Sequence, residues 1–125
     1  MSIESSNCLT PWILDGINTA EVGGCLDTGH AFLGGDIHSL VHKLSGHLRV
    51  IHAHDNGGTD DNHWAPGDGK IDWEQFLRDL IEVRFRGAFV LEMAGHKDPA
   101  VTMTNARRGR SYLRDVARRL ALAAM

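Results

Sequence analysis

Short strand-like segments alternate with amphipathic helical segments along the whole chain, and this alternation limits the folds open to it. The segments with strand character are residues 1–4, 21–27, 47–55 and 87–92. The segments with helical spacing of apolar residues are 9–17, 34–44, 71–85 and 105–125. Because strands joined by helices of this length pair in parallel through right-handed crossovers, the pattern predicts an α/β fold. We expect four strand–helix units forming a single domain over residues 1–125.

The predicted helices carry recognisable start signals. Asp72 and Gln75 form a capping box, Asp36 stands at an N-cap position, and Thr10 precedes Pro11 at the first helical position. The residues expected to face inward are Ile37, Leu40, Val41 and Leu44, then Trp73, Phe76, Leu77, Leu80 and Ile81, then Leu113, Val116, Ala117 and Leu120. Residues 56–70, rich in Gly, Asn, Asp and Pro, predict a long polar loop.

Composition excludes several classes of function. A net charge of −3 gives no global attraction to nucleic acid or to anionic membranes. No apolar run approaches the roughly 20 residues of a membrane span, and no secretory signal pattern is present. Cys8 and Cys25 are too few for a disulfide framework, which favours reduced thiols in a cytoplasmic protein.

A polar residue follows a bulky apolar one near the carboxyl end of every predicted strand. The pairs are Ile3–Glu4, Leu26–Asp27, Ile51–His52 and Leu91–Glu92. Because strand side chains alternate between faces, the polar members share the face turned away from the helices. Parallel α/β folds place their chemistry at this edge of the sheet, so the four side chains are expected to converge there.

Carboxylates combined with imidazoles at one edge favour a divalent cation. Mn²⁺, Mg²⁺ or Co²⁺ fit this ligand set, and Zn²⁺ is the alternative if more histidines bind. His54 shares the face of His52, and Asp61 with His63 forms a D-x-H pair that adds ligand or substrate-contact candidates. Taken singly, these residues also have ordinary interpretations, such as an ion pair between Asp27 and His30. His38, His42 and His47 are interpreted as surface residues.

Four motifs in order resemble one known family. They are CLDTGHA, VIHAHDN, DNHWAPGDGKIDW and GAFVLEM, and they resemble the C-terminal half of the xylose isomerase-like TIM-barrel superfamily. That superfamily includes sugar phosphate isomerases/epimerases and the apurinic endonucleases of the endonuclease four type. The resemblance extends well over residues 22–92 and less closely to the end of the chain. It implies a half TIM barrel whose strands correspond to strands five to eight.

The resemblance also implies residue roles. The metal ligands would be Glu4, Asp27, His52 and Glu92, one from each strand in turn. His30, His54, Asp61 and His63 would contact substrate or a second metal. The catalytic groups would be Glu92 and Glu4, exchanging a proton as base and acid, and His30, binding a substrate oxygen. The loop over residues 57–69 would close over the sugar.

The leading functional prediction is a divalent-metal-dependent sugar or sugar phosphate isomerase/epimerase that acts by proton transfer through an enediolate. A zinc-dependent apurinic endonuclease-like phosphodiesterase and a catalytically silent half-barrel are the alternatives. Nucleic acid is not the expected partner, because the arginines between residues 107 and 119 are interpreted as a solvated helix face. A full barrel has eight strands and about 250 residues. A half-barrel is therefore expected to form a homo-oligomer or to pair with a complementary half-barrel chain.

Overall fold

Helices and strands alternate through residues 9–17 and 21–123, the part of the chain that this computed structural model describes. The elements are α1 (Leu9–Ile17), β1 (Gly24–Asp27), α2 (Thr28–Leu33), α3 (Ile37–Lys43), β2 (Leu48–Ala53), α4 (Trp73–Glu82), β3 (Ala88–Leu91) and α5 (Pro99–Ala123). The predicted first strand, with Glu4, and Cys8 lie outside the described residues. The predicted α/β alternation is confirmed over the rest.

The strands form one parallel sheet in the order β1-β2-β3. Asp27 pairs with His52, and His52 pairs with Val90 on its other side. The ladder continues past β3, because the backbone N–H of Glu92 donates to the carbonyl of Ala53 at 3.0 Å. Parallel pairing in this register brings the carboxyl ends of the three strands to one edge of the sheet.

One face of the sheet is covered by helices and forms the core. Leu26, Ile51 and Ala53 are fully buried on this face. The helices contribute Leu14, Val41, Leu44, Trp73, Phe76, Leu80 and Leu113 to the same core. The opposite face carries Cys25, Val50 and His52, which are only half-buried, and Val90, which is 45% exposed. The prediction that apolar side chains face the helices and that Asp27 and His52 face the other side is therefore confirmed, although the second face also carries apolar side chains.

The structure adds one element to the predicted set and moves the start of another. The segment after Asp27 forms the short helix α2, whose first turn is capped because Asp27 Oδ1 accepts the N–H of His30 at 3.0 Å. α5 begins at Pro99 rather than at residue 105. Asp98 precedes it and accepts the N–H of Ala100 at 2.9 Å, so a cap and a proline at the first helical position define its start.

Two of the residues predicted to face inward are exposed. Ile81 is 64% exposed, and Ala117 is exposed on α5. On α4 Asp79 is fully buried, as Phe76 is, and its Oδ1 lies 2.7 Å from Nδ1 of His38 on α3. The helix is rotated so that this polar pair, and not Ile81, faces its neighbour. No helix within the described ranges is long and apolar enough to cross a bilayer.

Candidate metal and substrate site

The ends of the three strands bring two carboxylates and an imidazole together. One ligand atom each from Asp27, His52 and Glu92 lies within 4.8 Å of the others. Nδ1 of His52 is 3.4 Å from Oε2 of Glu92. Asp27 and His52 meet because they are paired across β1 and β2, and Glu92 reaches them because β3 continues beyond Leu91 along the same edge.

Asp27 is the buried member of this group. Its side chain is 5% exposed, Nε2 of His54 lies 2.7 Å from its Oδ1, and the backbone N–H of His30 donates to the same oxygen. Burial by itself would raise the pKa of Asp27, but the contacts with His54 and with the His30 N–H outweigh it and hold that pKa below its ordinary value. Asp27 is therefore an anion at neutral pH, as a metal ligand must be.

His54 lies fully buried behind the three residues. Its backbone is fixed by Thr28, whose hydroxyl donates to the His54 carbonyl at 2.7 Å and accepts the His54 N–H at 3.0 Å. The ring of His63 stacks on it, with centroids 3.7 Å apart and planes 5° from parallel. Nε2 of His54 lies close to Asp27. Neither ring nitrogen of His54, however, makes a well-directed hydrogen bond with any of the described residues. A buried imidazole in this condition suits a site that receives a polar ligand.

A second group lies beside the first, around Asp61. Its Oδ2 is 2.9 Å from Nε2 of His30 and 3.2 Å from Nε2 of His63. Partial burial would raise the pKa of Asp61, but the two imidazoles outweigh this effect and lower it. The predicted D-x-H pair, Asp61 and His63, thus lies next to His30, although α2 and the loop are far apart in sequence.

His63 connects this group to the strand ends. It has φ of 54°, a conformation uncommon for a residue with a side chain. Its carbonyl accepts the N–H of Ala94 at 3.0 Å, and its Nδ1 lies 3.2 Å from the carbonyl oxygen of Glu92. His54, His63 and Glu92 consequently form another set of ligand atoms within 4.8 Å of one another. These contacts with Glu92 and Ala94, just after β3, hold the backbone of His63 in this strained conformation.

The loop that carries Asp61 and His63 is organised by Asp55, which sequence reasoning did not single out. Asp55 is fully buried. Its carboxylate accepts the N–H groups of Asn56, Gly67 and Ile71 and the indole N–H of Trp73. Asn56, also buried, donates to the carbonyl of Gly29 and accepts the N–H of Gly58. The signal that could have found this pair is an Asp-Asn dipeptide directly after a strand, at the start of a glycine-rich loop.

The structure brings all the described candidate residues into one neighbourhood: Asp27, His30, His52, His54, Asp61, His63 and Glu92. Glu4 lies outside the described residues, so its predicted position is not addressed. Two carboxylate oxygens and an imidazole nitrogen at mutual distances below 4.8 Å are a donor set for a hard to borderline divalent cation. The residues present therefore fit such an ion. The deep imidazoles behind them offer hydrogen bonds to a polar substrate.

Comparisons with known proteins agree with this architecture. A family model described as xylose isomerase-like TIM barrel matches residues 12–116. The solved structure of a D-tagatose 3-epimerase-like protein superposes with a TM-score of 0.80 at 23% identity, covering 99% of this chain and 48% of that chain. At this identity the likeness shows the fold.

Curated relatives match shorter segments. An uncharacterised protein of Methanocaldococcus jannaschii is 39% identical over 66 residues, which cover 53% of this chain and 26% of that protein. Fructoselysine 3-epimerase of Escherichia coli O157:H7 is 34% identical over 55 residues, which cover 44% of this chain and 20% of that protein. The chain thus matches about a quarter or less of these relatives and spans about half of the structural neighbour.

Proposed function

This chain belongs to the xylose isomerase-like TIM-barrel family, and we propose that it carries the metal-binding half of a sugar or sugar phosphate isomerase/epimerase. Its described strands would then be the sixth, seventh and eighth of the barrel. One observation carries the proposal: each of the three adjacent parallel strands contributes one ligand, and the ligand atoms of Asp27, His52 and Glu92 lie within 4.8 Å of one another. The epimerase relatives, for fructoselysine and of the D-tagatose 3-epimerase type, point to a sugar substrate.

Asp27, His52 and Glu92 would hold a divalent cation, with Glu4 as the fourth ligand. Mn²⁺, Mg²⁺ or Co²⁺ suit two or three carboxylates with one imidazole, and Zn²⁺ is the alternative. When bound, such an ion supplies Lewis-acid polarisation of a substrate carbonyl. The contacts with His54 and with the His30 N–H keep Asp27 ionised in spite of its burial.

Glu92 would move the proton. Its carboxylate is 45% exposed on the open face of the sheet, and its Oε2 lies 3.4 Å from the His52 ring. Glu92 would remove a proton from the carbon next to the substrate carbonyl, giving an enediolate, and Glu4 would return a proton to it. His30, already 2.9 Å from Asp61, binds a substrate oxygen. His63, His54 and Asp61 line the same pocket, and the loop over residues 57–69 excludes water when the sugar is bound.

Replacing Glu92 by Gln tests this assignment. The purified protein is incubated with a ketose in D₂O, and exchange of the hydrogen on the carbon beside the carbonyl is followed by NMR. We expect Glu92→Gln to lower the exchange rate by about 10²–10⁴-fold, the usual contribution of a general base. Metal content should stay near that of the unsubstituted protein, because an amide oxygen can still occupy the ligand position.

Glu74→Gln is the matched control, since Glu74 lies on the exposed side of α4 and pairs with Arg78 at 2.8 Å. Its exchange rate should equal that of the unsubstituted protein. Unchanged exchange in Glu92→Gln would remove Glu92 from the role of base. Absence of metal and of exchange in the unsubstituted protein would favour the catalytically silent half-barrel.

A zinc-dependent phosphodiesterase of the apurinic endonuclease type is the second candidate. It is favoured by the adjoining ligand groups, His30–Asp61–His63 and His54–His63–Glu92, which offer histidines for further metal ions. Against it stands the net charge of −3, which gives no global attraction to nucleic acid. Binding of several zinc ions per chain, with cleavage of a duplex that contains an abasic site, would decide for this candidate.

A further inference from the structure

We propose that His38, His42 and Asp79 form a separate binding site for a divalent cation, Zn²⁺ by its ligand chemistry, between α3 and α4. These helices cover the apolar face of the sheet, whereas the candidate site described above lies on its other face. Sequence reasoning interpreted His38 and His42 as surface residues. The proposal does not depend on the function assigned to the strand-end site.

The geometry is that of a helix-borne pair of histidines facing a carboxylate. His38 and His42 are four residues apart on α3, so their side chains lie on one face of the helix. Their ring centroids are 4.7 Å apart, in an edge-to-face arrangement. Oδ1 of Asp79 on α4 is 2.7 Å from Nδ1 of His38 and 3.5 Å from Nε2 of His42. One ligand atom from each of the three lies within 4.8 Å of the others. Two histidines at this helical spacing are a recurrent zinc-binding arrangement.

Asp79 provides the second, independent observation. It is fully buried, and its Oδ2 has no hydrogen-bond partner within the described part of the chain. Its other oxygen receives the Gln75 amide at 3.0 Å as well as the His38 ring. A buried carboxylate with one oxygen unsatisfied is destabilising, and a bound cation would neutralise its charge.

The surroundings allow a fourth ligand and access for the ion. Oε2 of Glu82, one turn after Asp79, is 3.4 Å from Nε2 of His42 and is exposed. The histidine side chains are 55% and 37% exposed, so an ion can reach them from solvent. Two imidazoles and a carboxylate favour Zn²⁺ over Mg²⁺, with Glu82 or water completing a tetrahedron. The strand-end site has the opposite balance, with more carboxylate than imidazole.

The test separates the two sites. The strand-end site is first disabled by His52→Ala and Glu92→Ala, which remove two of its three described ligand side chains and leave the α2 cap Asp27 in place, and this protein is titrated with Zn²⁺ by calorimetry and with Co²⁺ by visible absorption. We expect one Zn²⁺ per chain and the absorption of tetrahedral Co²⁺. Adding His38→Asn or His42→Gln should weaken binding by at least about tenfold, since loss of even an outer partner of a metal ligand costs that much. Asn and Gln keep an N–H donor near Asp79, so that the helices remain joined.

His47→Gln is the matched control, because His47 contacts Asp15 at 2.6 Å and lies outside the cluster; it should leave binding unchanged. A second measurement uses the unsubstituted protein: Zn²⁺ should protect His38 and His42 from diethyl pyrocarbonate more than it protects His47. No zinc binding at millimolar concentration, binding insensitive to His38→Asn and His42→Gln, or equal labelling with and without zinc would overturn the proposal. The cluster would then be only a hydrogen-bonded tie between α3 and α4.

Discussion

Among single residues, Gly29 decides where the buried imidazole of the strand-end site lies. A Cβ atom at this position would be 2.1 Å from Cε1 of His54 and 2.5 Å from its Nδ1. The His54 ring therefore occupies the space that any larger residue at 29 would need. Since His54 is the close partner of Asp27, the missing side chain at Gly29 supports the ionised ligand indirectly.

Replacing Gly29 by Ala should displace His54 and thereby loosen Asp27. We expect Mn²⁺ affinity at the strand-end site to fall by about 10–100-fold, as it does when a partner of a metal ligand is lost. Overpacking should also destabilise the fold by about 1–3 kcal/mol, measured by urea unfolding. Gly16→Ala is the control, since none of the described residues lies within 4 Å of a Cβ there. Equal Mn²⁺ affinity in calorimetry for both variants would contradict this role of Gly29.

The lowered pKa of Asp27 predicts how stability depends on pH. Because the folded-state pKa lies below the unfolded one, the contribution of Asp27 is present above about pH 3.9, the ordinary value for aspartate. It is lost as the pH falls from there through the folded-state pKa. Urea unfolding of the unsubstituted protein and of Asp27→Asn should show a difference in stability that is constant near neutral pH and shrinks below about pH 4. A difference that grows on acidification would contradict the prediction.

Among the elements, the loop between β2 and α4 owes its shape to a single buried anion. Asp55 accepts backbone N–H groups from both ends of the loop and the indole of Trp73, and its backbone pairs with Trp64 in an isolated antiparallel bridge. Gly69 passes so close that a Cβ there would lie 2.3 Å from Oδ1 of Asp55. The loop that carries Asp61 and His63 is therefore anchored to the end of β2 through Asp55.

Replacing Asp55 by Asn should weaken this loop, because the new NH₂ group meets N–H donors and leaves them unsatisfied. We expect a loss in the free energy of unfolding on the order of 1–3 kcal/mol. Amide hydrogen exchange should also become faster at Gly67 and Ile71. Asp60→Asn is the control, since Asp60 is exposed and its carboxylate accepts a hydrogen bond from the Thr59 hydroxyl. If Asp55→Asn unfolded with the same free energy as the unsubstituted protein, the negative charge of Asp55 would not be needed to hold the loop.

For the molecule as a whole, the two faces of the sheet differ sharply. Helices cover one face, whereas on the other Val90 is 45% exposed beside Glu92, and Val50 and Cys25 are only half-buried. Within the described residues β3 pairs on one side only, with β2. An apolar face next to an unpaired strand edge favours association with further strands.

We predict that the 125-residue chain self-associates or requires a complementary half-barrel. Sedimentation at micromolar concentration should give a dimer or larger species, and Val90→Glu should shift it toward smaller species by placing a charge on the open face. Ile81→Glu is the matched control, because Ile81 is exposed on the helix side and should not affect association. A compact, well-folded monomer of the unsubstituted chain would contradict this prediction.

Local rules in the sequence were sufficient to predict most of the described strands and helices of this molecule. Alternating apolar patterns located the described strands, and Asp36 and Asp72 marked the helix starts where they now accept N–H groups at 2.9 Å and 3.0 Å. The alternation of side chains in strands predicts that Asp27, His52 and Glu92 share one face. These features depend on neighbours a few residues apart, which is why a single sequence predicts them.

The tertiary structure decided which distant residues meet. The rotation of α4 turned Ile81 outward and buried Asp79 against His38, 41 residues away. Other contacts likewise join separate elements. His63 stacks on His54, Asp61 contacts His30, and Asp55 anchors the loop to α4 through Trp73. Such contacts depend on how whole helices and loops pack, and the periodicity of one segment carries no information about the rotation of its neighbour.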